Sequence, residues 1–387
     1  MKVLVLSPFP PRHDAPHGGS RWIAGLVPAL ARSHSVALVT LRGPGEDGVD
    51  KRIREVCDLV VEVERRTARA SFANVWRERQ RLALAASGAP GWAVGFSVRA
   101  VGGELERVVA TWQPDVAHVE SFVMAQHAGG LRPVPVVVVD QDAADTSAAM
   151  RRFRARVLRD ADAVVALTER DQATLAALVP SARIERIPLA VDLRDTPLDP
   201  AGSGRDVLFV GNFIHPPNVE AAERLVQSIF PRVAARRADA RLVIVGDGSP
   251  ASLQSCDNVV VMGRVADLDP VLDAAAVVVA PLTSGGGMRV KVLDALGAGK
   301  AVVASPLALE GIAAGAGEVV VADGDDEFAD AIVALLDDGS RRAELGRAAR
   351  AWAETNVGWS AIVEAYDALY ASLVNSSRDD RPARGRA

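Results

Sequence analysis

Short runs of Val, Leu and Ile recur along the whole chain, each separated from the next by a helix-length segment. The clearest runs are "KVLVL" (2–6), "VPVVVVD" (134–140), "AVVAL" (163–167), "VLFVG" (207–211), "RLVIVG" (241–246) and "AVVVAP" (276–281). Strands that are apolar on both faces belong to parallel sheets covered by helices on either side. Further strands read at 35–40, 59–63, 115–119, 183–187, 258–263, 300–305 and 317–322. Helices read at 18–33, 97–112, 142–160, 169–178, 217–236, 267–275, 325–337, 339–355 and 360–373. The alternation restarts after "PLAVDLRDTPLDPAGSGRD" (188–206), whose Pro, Gly and Asp content reads as a linker. The expectation is an α/β chain of two doubly wound, Rossmann-like domains facing each other across a cleft. Residues 1–188 with the last helix (360–374) form one, 189–359 the other, and 375–387 a disordered tail.

Composition supports this and excludes other classes. Hydrophobic residues make up 49% and aromatics only 4%, so the core is aliphatic. Residues 1–190 hold 25 Lys and Arg against 21 Asp and Glu, whereas the remainder holds 19 against 28. The halves therefore present opposite charge to their partners. The two cysteines, Cys57 and Cys256, form no metal-type or disulfide spacing. The first apolar run is too short for a signal peptide or a span, which leads to the expectation of a cytoplasmic protein. No base-reading motif is present and the chain is acidic overall, so nucleic acid is not an expected partner.

Ligands of doubly wound sheets sit beyond the carboxyl ends of the strands, so residues there carry most weight. After the first strand, Gly18 and Gly19 open a helix whose free N–H groups suit an anion; this is not a Gly-x-Gly-x-x-Gly fingerprint, which counts against a nicotinamide or flavin enzyme. His118 and Glu120 end the strand at 115–119 and are candidates for sugar contact or proton transfer. The acidic stretch "DQDAADT" (140–146) reads as helix capping. Asn212, His215 and Asn218 follow the first strand of the second half. Gly263, Arg264 and Val265 offer backbone groups to a nucleobase. In "GGGMRVKVLD", Gly285, Gly286, Gly287 and Met288 allow close backbone approach. Arg289 and Lys291 suit phosphate oxygens, and Asp294 suits ribose hydroxyls.

These stretches together resemble the glycosyltransferase group 1 family, of GT-B architecture, over nearly the whole chain. The resemblance rests on "SPFPPRHDAPHGG", "VGNFIHPPNVEAAERL", "RLVIVGDG", "VMGRVADLDPVLDAAAVVVAPL" and "GGGMRVKVLDALGAGKAVVAS". It implies sugar transfer from a nucleotide-diphosphate donor to an acceptor hydroxyl with retention, with no metal and no cofactor beyond that co-substrate. It further implies that Gly18 and Gly19 face the diphosphate, that His118 meets the donor sugar and that Asp294 binds ribose. Two positions depart from the family pattern. Gly286 stands where the first of two glutamates is usual, and "GNFIHPPN" lacks the usual arginine and lysine. Arg289, with Lys291, is expected to supply that charge from the glycine loop.

The acceptor, a glycan, lipid-linked sugar or small molecule, is expected on the first domain. There, residues 65–82 carry six arginines against one glutamate. This segment reads either as an amphipathic patch for anionic lipid at the inner face of a membrane or, preferably, as a packed helix with a solvated cationic face. Two other functions stay open: a degenerate, non-catalytic nucleotide-sugar binder, and a sugar-nucleotide epimerase of similar shape.

Overall fold

A computed structural model describes residues 1–15, 18–65, 91–141, 143, 147–202, 204–250, 253, 258–285 and 289–379. Gly286, Gly287, Met288, Asp142, Asp145, Cys256 and nearly all of the 65–82 segment lie outside the described residues. The chain divides into unit 1, Met1–Pro188 with Val363–Ala387, and unit 2, Leu189–Ile362.

Unit 1 carries a seven-stranded sheet: β1 (Lys2–Ser7), β2 (Ser35–Arg42), β3 (Leu59–Glu64), β4 (Val116–Glu120), β5 (Val136–Asp140), β6 (Ala163–Ala166) and β7 (Ile184–Arg186). The order is β3-β2-β1-β4-β5-β6-β7 and every pair is parallel. Unit 2 carries β8 (Asp206–Val210), β9 (Arg241–Val245), β10 (Val259–Gly263), β11 (Val277–Ala280), β12 (Val302–Ala304) and β13 (Val320–Val321). These run β10-β9-β8-β11-β12-β13, again all parallel. Winding outward in both directions from one point fixes the switch between β1 and β4 in unit 1 and between β8 and β11 in unit 2.

The aliphatic strands explain the burial. All five residues of β5 (VVVVD) and all four of β11 (VVVA) are buried, because helices cover both faces. Each unit has its own core, built mostly from Val, Leu, Ile and Ala.

Several elements differ from the sequence reading. The segment 217–236 is a helix Pro216–Arg224, a π-helical turn Leu225–Ile229 and a helix Phe230–Ala234. Phe122–Leu131, unassigned from periodicity, is a 3-10 stretch. The helix after β5 spans Ala148–Leu158 and is capped by Ser147, whose hydroxyl accepts from the Met150 N–H at 3.1 Å, not by a residue of 140–146. The last helix runs Trp359–Asp379, so residues 375–379 of the expected tail are helical, and 380–387 lie outside the described residues. Val191 pairs with Gly358, which brings the ends of unit 2 together.

Candidate functional site

The carboxyl edge of the unit 2 sheet gathers the loops after β8, β9, β10 and β11. Glycine makes this possible. Gly246 follows β9 with φ +152°, and a Cβ there would lie 1.6 Å from the Gly211 carbonyl oxygen. Gly211 N–H donates to Val245 O (2.9 Å), Phe213 N–H to Asp247 O (2.9 Å) and Gly246 N–H to Gly263 O (2.8 Å), which locks the three loops side by side.

Arg289 stands at the N-cap of the helix Val290–Gly297, and its Nη2 donates to Gly285 O at 2.9 Å. Gly285 holds φ +104°, a region only glycine enters without strain, and a Cβ there would press on Pro217 at 3.0 Å. Lys291, in the first turn of the helix, donates from Nζ to Asn218 Oδ1 and lies 4.7 Å from the centre of the Phe209 ring. Asn218 in turn donates from Nδ2 to Asn212 O (2.7 Å), and Asn212 Oδ1 accepts from Ile214 N–H (3.1 Å). Thus Lys291, Asn218 and Asn212, from the segments that follow the two strands at the switch point, form one hydrogen-bonded group, with Arg289 beside it. Burial, and then the neighbouring Arg289 charge, pull the Lys291 ammonium down to about 8. Arg289 is itself buried, at 8% exposure, and its charge is felt at Lys291, so the site favours an anion.

Asp294 lies half-buried further along the same helix. Arg194 is held above its usual range, first by its ion pair with Asp269 and then by the charges of Asp269, Asp294 and Asp267. Arg194, which sequence reading passed over, therefore belongs to the surroundings of Asp294. Gly263 closes β10 with φ +67° and open space at its Cβ position, and Arg264 is exposed beside half-buried Val265.

In unit 1 the switch point holds a buried polar chain. Glu120 ends β4 with 1% exposure; its Oε1 accepts from Trp22 Nε1 (3.0 Å) and pairs with His118 Nε2 (2.8 Å), and its Oε2 accepts from Gln141 Nε2 (3.1 Å). His118 Nδ1 meets the Tyr370 hydroxyl at 2.5 Å. His118 sits in the middle of β4 and has no exposed surface, so it is not the open strand-end histidine expected from sequence. Neither His118 nor Glu120 presents an atom to solvent for a substrate in this structure; both are spent on internal hydrogen bonds. Gly18 has open space at its Cβ position, while Gly19 is covered by Phe9, whose Cζ would lie 2.7 Å from an added Cβ. Trp22, Gln141, Tyr370 and Phe209 were missed because nothing in their spacing marks them. Each is recruited by contacts between segments distant in sequence.

A pair of doubly wound parallel units, one with a cation pair and a helix N-terminus at its switch point, defines an α/β nucleotide-binding architecture. The family description "Glycosyl transferases group 1" matches residues 204–338, and "Glycosyltransferase Family 4" matches residues 16–195. The chain is 32% identical over 205 residues to a GDP-mannose-dependent monoacylated alpha-(1-6)-phosphatidylinositol monomannoside mannosyltransferase of Corynebacterium glutamicum, covering 46% of this chain and 54% of that one. The match thus spans about half the length of that relative. Among solved structures, sucrose-phosphate synthase from Thermosynechococcus elongatus aligns with TM-score 0.70 at 17% identity, over 97% of this chain and 100% of that one. An Anabaena protein, HepE, in complex with UDP aligns with TM-score 0.67 at 14% identity, over 96% and 100%. The fold is GT-B, and the chain belongs to the group 1 glycosyltransferases.

Proposed function

We propose that the protein transfers a sugar from a nucleotide-diphosphate donor to an acceptor hydroxyl, with retention and without a metal ion. The observation that carries this reading is the group at the unit 2 switch point: Arg289 on Gly285 O, and Lys291 on Asn218, at the start of the helix Val290–Gly297. Developing charge on a leaving diphosphate needs preorganised positive groups, and Arg289, Lys291 and the helix N-terminus supply them. Asn212 and Gly285 would border the diphosphate, Asp294 would take the ribose, and Gly263, Arg264 and Val265 would border the base. Gly286, Gly287 and Met288 belong to the same loop in this reading. Arg289 is the group we assign to direct contact with the reacting phosphoryl oxygens. His118 and Glu120, being buried, act by holding the unit 1 switch point in place, where Gly18 and Gly19 open the first helix.

The Corynebacterium relative is named for GDP-mannose and a mannosylated phosphatidylinositol, so we infer GDP-mannose as the first donor to test and a lipid-linked glycan as the first acceptor class. Among the described residues no helix is long and apolar enough to cross a membrane.

The deciding experiment is a thermal-shift and calorimetric screen of GDP, UDP, TDP and ADP and their sugar conjugates with EDTA present, on wild type and Arg289→Ala, followed by turnover of the stabilising conjugate. Stabilisation lost in the variant, with transfer to an acceptor and retained anomeric configuration, supports the reading. Binding without turnover favours a non-catalytic binder, and an altered free nucleotide sugar favours an epimerase. Donor binding as tight in Arg289→Ala as in wild type would overturn the role given to Arg289.

A further inference from the structure

Four side chains from three separated segments of unit 1 meet in one buried line. Tyr370 comes from the last helix, His118 and Glu120 from β4, and Trp22 from the helix Gly18–Ala31 that the glycine pair opens. The contacts are Tyr370 hydroxyl to His118 Nδ1 (2.5 Å), His118 Nε2 to Glu120 Oε1 (2.8 Å), and Trp22 Nε1 to the same oxygen (3.0 Å). Tyr370, His118 and Glu120 have 1% exposure or less.

The indole N–H of Trp22 and the amide Nε2 of Gln141 only donate, so both Glu120 oxygens accept. His118 joins the two ends of the line, with Nε2 on Glu120 and Nδ1 on the Tyr370 hydroxyl. Burial, then the nearby Tyr366, Glu120 and Asp367, hold that hydroxyl well above the usual phenol range, which keeps its proton on. One helical turn earlier, Tyr366 stacks on Tyr370 at 5.8 Å and packs edge-on to the His118 ring at 5.0 Å. The Tyr366 hydroxyl is equally buried yet has no hydrogen-bond partner. Ring packing alone therefore does not require a bonded hydroxyl here; of the two tyrosines, Tyr370 uses its hydroxyl, on His118 Nδ1.

We propose that Tyr370 is a positioning residue whose hydroxyl, acting through His118 and Glu120, orients Trp22 and the glycine-opened start of the first helix for the transfer reaction. Without that hydroxyl, the buried Nδ1 of His118 loses its contact and the ring is released from the last helix. Glu120, held through Nε2, is then free to shift, and Trp22 loses the fixed acceptor that anchors the first turns of its helix. The effect on activity rests on the glycosyltransferase reading; the relay itself does not.

The test uses the full chain with ¹⁵N-labelled tryptophan. Its six tryptophans give six indole signals, and Trp22→Phe identifies one of them. Tyr370→Phe keeps the ring and removes the hydroxyl; Tyr366→Phe removes the unbonded hydroxyl from the same stack and is the control. The expected result is a Trp22 indole proton shifted upfield in Tyr370→Phe, with kcat at saturating donor down roughly tenfold and donor KM little changed. Tyr366→Phe is expected to keep both at the wild-type value. A Trp22 signal unmoved in Tyr370→Phe, or moved as far by Tyr366→Phe, would overturn the relay. A moved signal with unchanged kcat in Tyr370→Phe would overturn the positioning role. The indole signal is read without donor, so failure of wild type to transfer sugar would count against the proposed function and leave the relay to be decided by the spectrum.

Discussion

Lys291 donates to the side-chain oxygen of Asn218 while its ammonium lies near the Phe209 ring, so one cation ties the helix after β11 to β8 and the helix Pro216–Arg224 that follows it, across the switch point. Arg289 stands beside it on the Gly285 carbonyl. If the pair holds a diphosphate, Arg289→Ala and Lys291→Ala each weaken nucleoside-diphosphate binding by about 1.5–3 kcal/mol, the range for hydrogen bonds to charged groups. The double variant loses less than the sum, because the two cations share one anion. Isothermal titration reads all three; additive losses would mean two independent sites.

Donor binding should also weaken as the solution becomes alkaline. In the free chain Lys291 loses its charge near pH 8, because burial and Arg289 disfavour the charged form. A bound diphosphate favours the charged form and raises that value. Below pH 8 the lysine is charged before and after binding, so affinity is flat on its account. Above pH 8 binding must take up a proton, and affinity falls toward a limit of about tenfold per pH unit. Titrating GDP from pH 7 to 9.5 checks this, and Lys291→Arg should flatten the curve, since a guanidinium keeps its proton throughout.

Strand identity was legible because β1, β5, β8 and β11 are unbroken aliphatic runs, and a run buried on both faces has few other homes. That Gly285, Arg289 and Lys291 stand together was legible for a related reason: they lie within one loop and the first turn of the helix Val290–Gly297, so local spacing brings them near. The unit 1 chain was not. His118 reads as a strand-end histidine, and nothing local reveals that Tyr370, 252 residues away, covers it. The break of 217–236 at a π turn was equally hidden, since Leu225–Ile229 keeps its apolar residues buried whether the turn is regular or wide.

Asp294 offers a test that separates ribose from phosphate. Its carboxylate lies on the helix that carries Lys291, and its charge reaches Arg194. Asp294→Ala should lower affinity for the nucleoside diphosphate by about 1.5–3 kcal/mol, the cost of losing a hydrogen bond to a charged group. Affinity for inorganic diphosphate should stay at the wild-type value. Equal losses for both ligands would mean that Asp294 acts only through the electrostatics of the Arg194 cluster.

Gly246 should prove the least replaceable residue of the unit 2 site. At φ +152° with an added Cβ only 1.6 Å from Gly211 O, alanine meets backbone, not a side chain that can swing away. Relief requires parting the ends of β8 and β9, which breaks Gly211 N–H to Val245 O and Phe213 N–H to Asp247 O. Gly246→Ala is therefore expected to destabilise unit 2 by about 4 kcal/mol or more, at the extreme of single substitutions. Gly263→Ala, also at positive φ but with open space around it, pays only for its backbone conformation, about 1 kcal/mol. Urea unfolding of the two variants tests the contrast. A Gly246→Ala protein as stable as Gly263→Ala would mean that the β8 and β9 loops yield without cost, and that the close approach is not what holds Asn212 and Asn218 against Lys291.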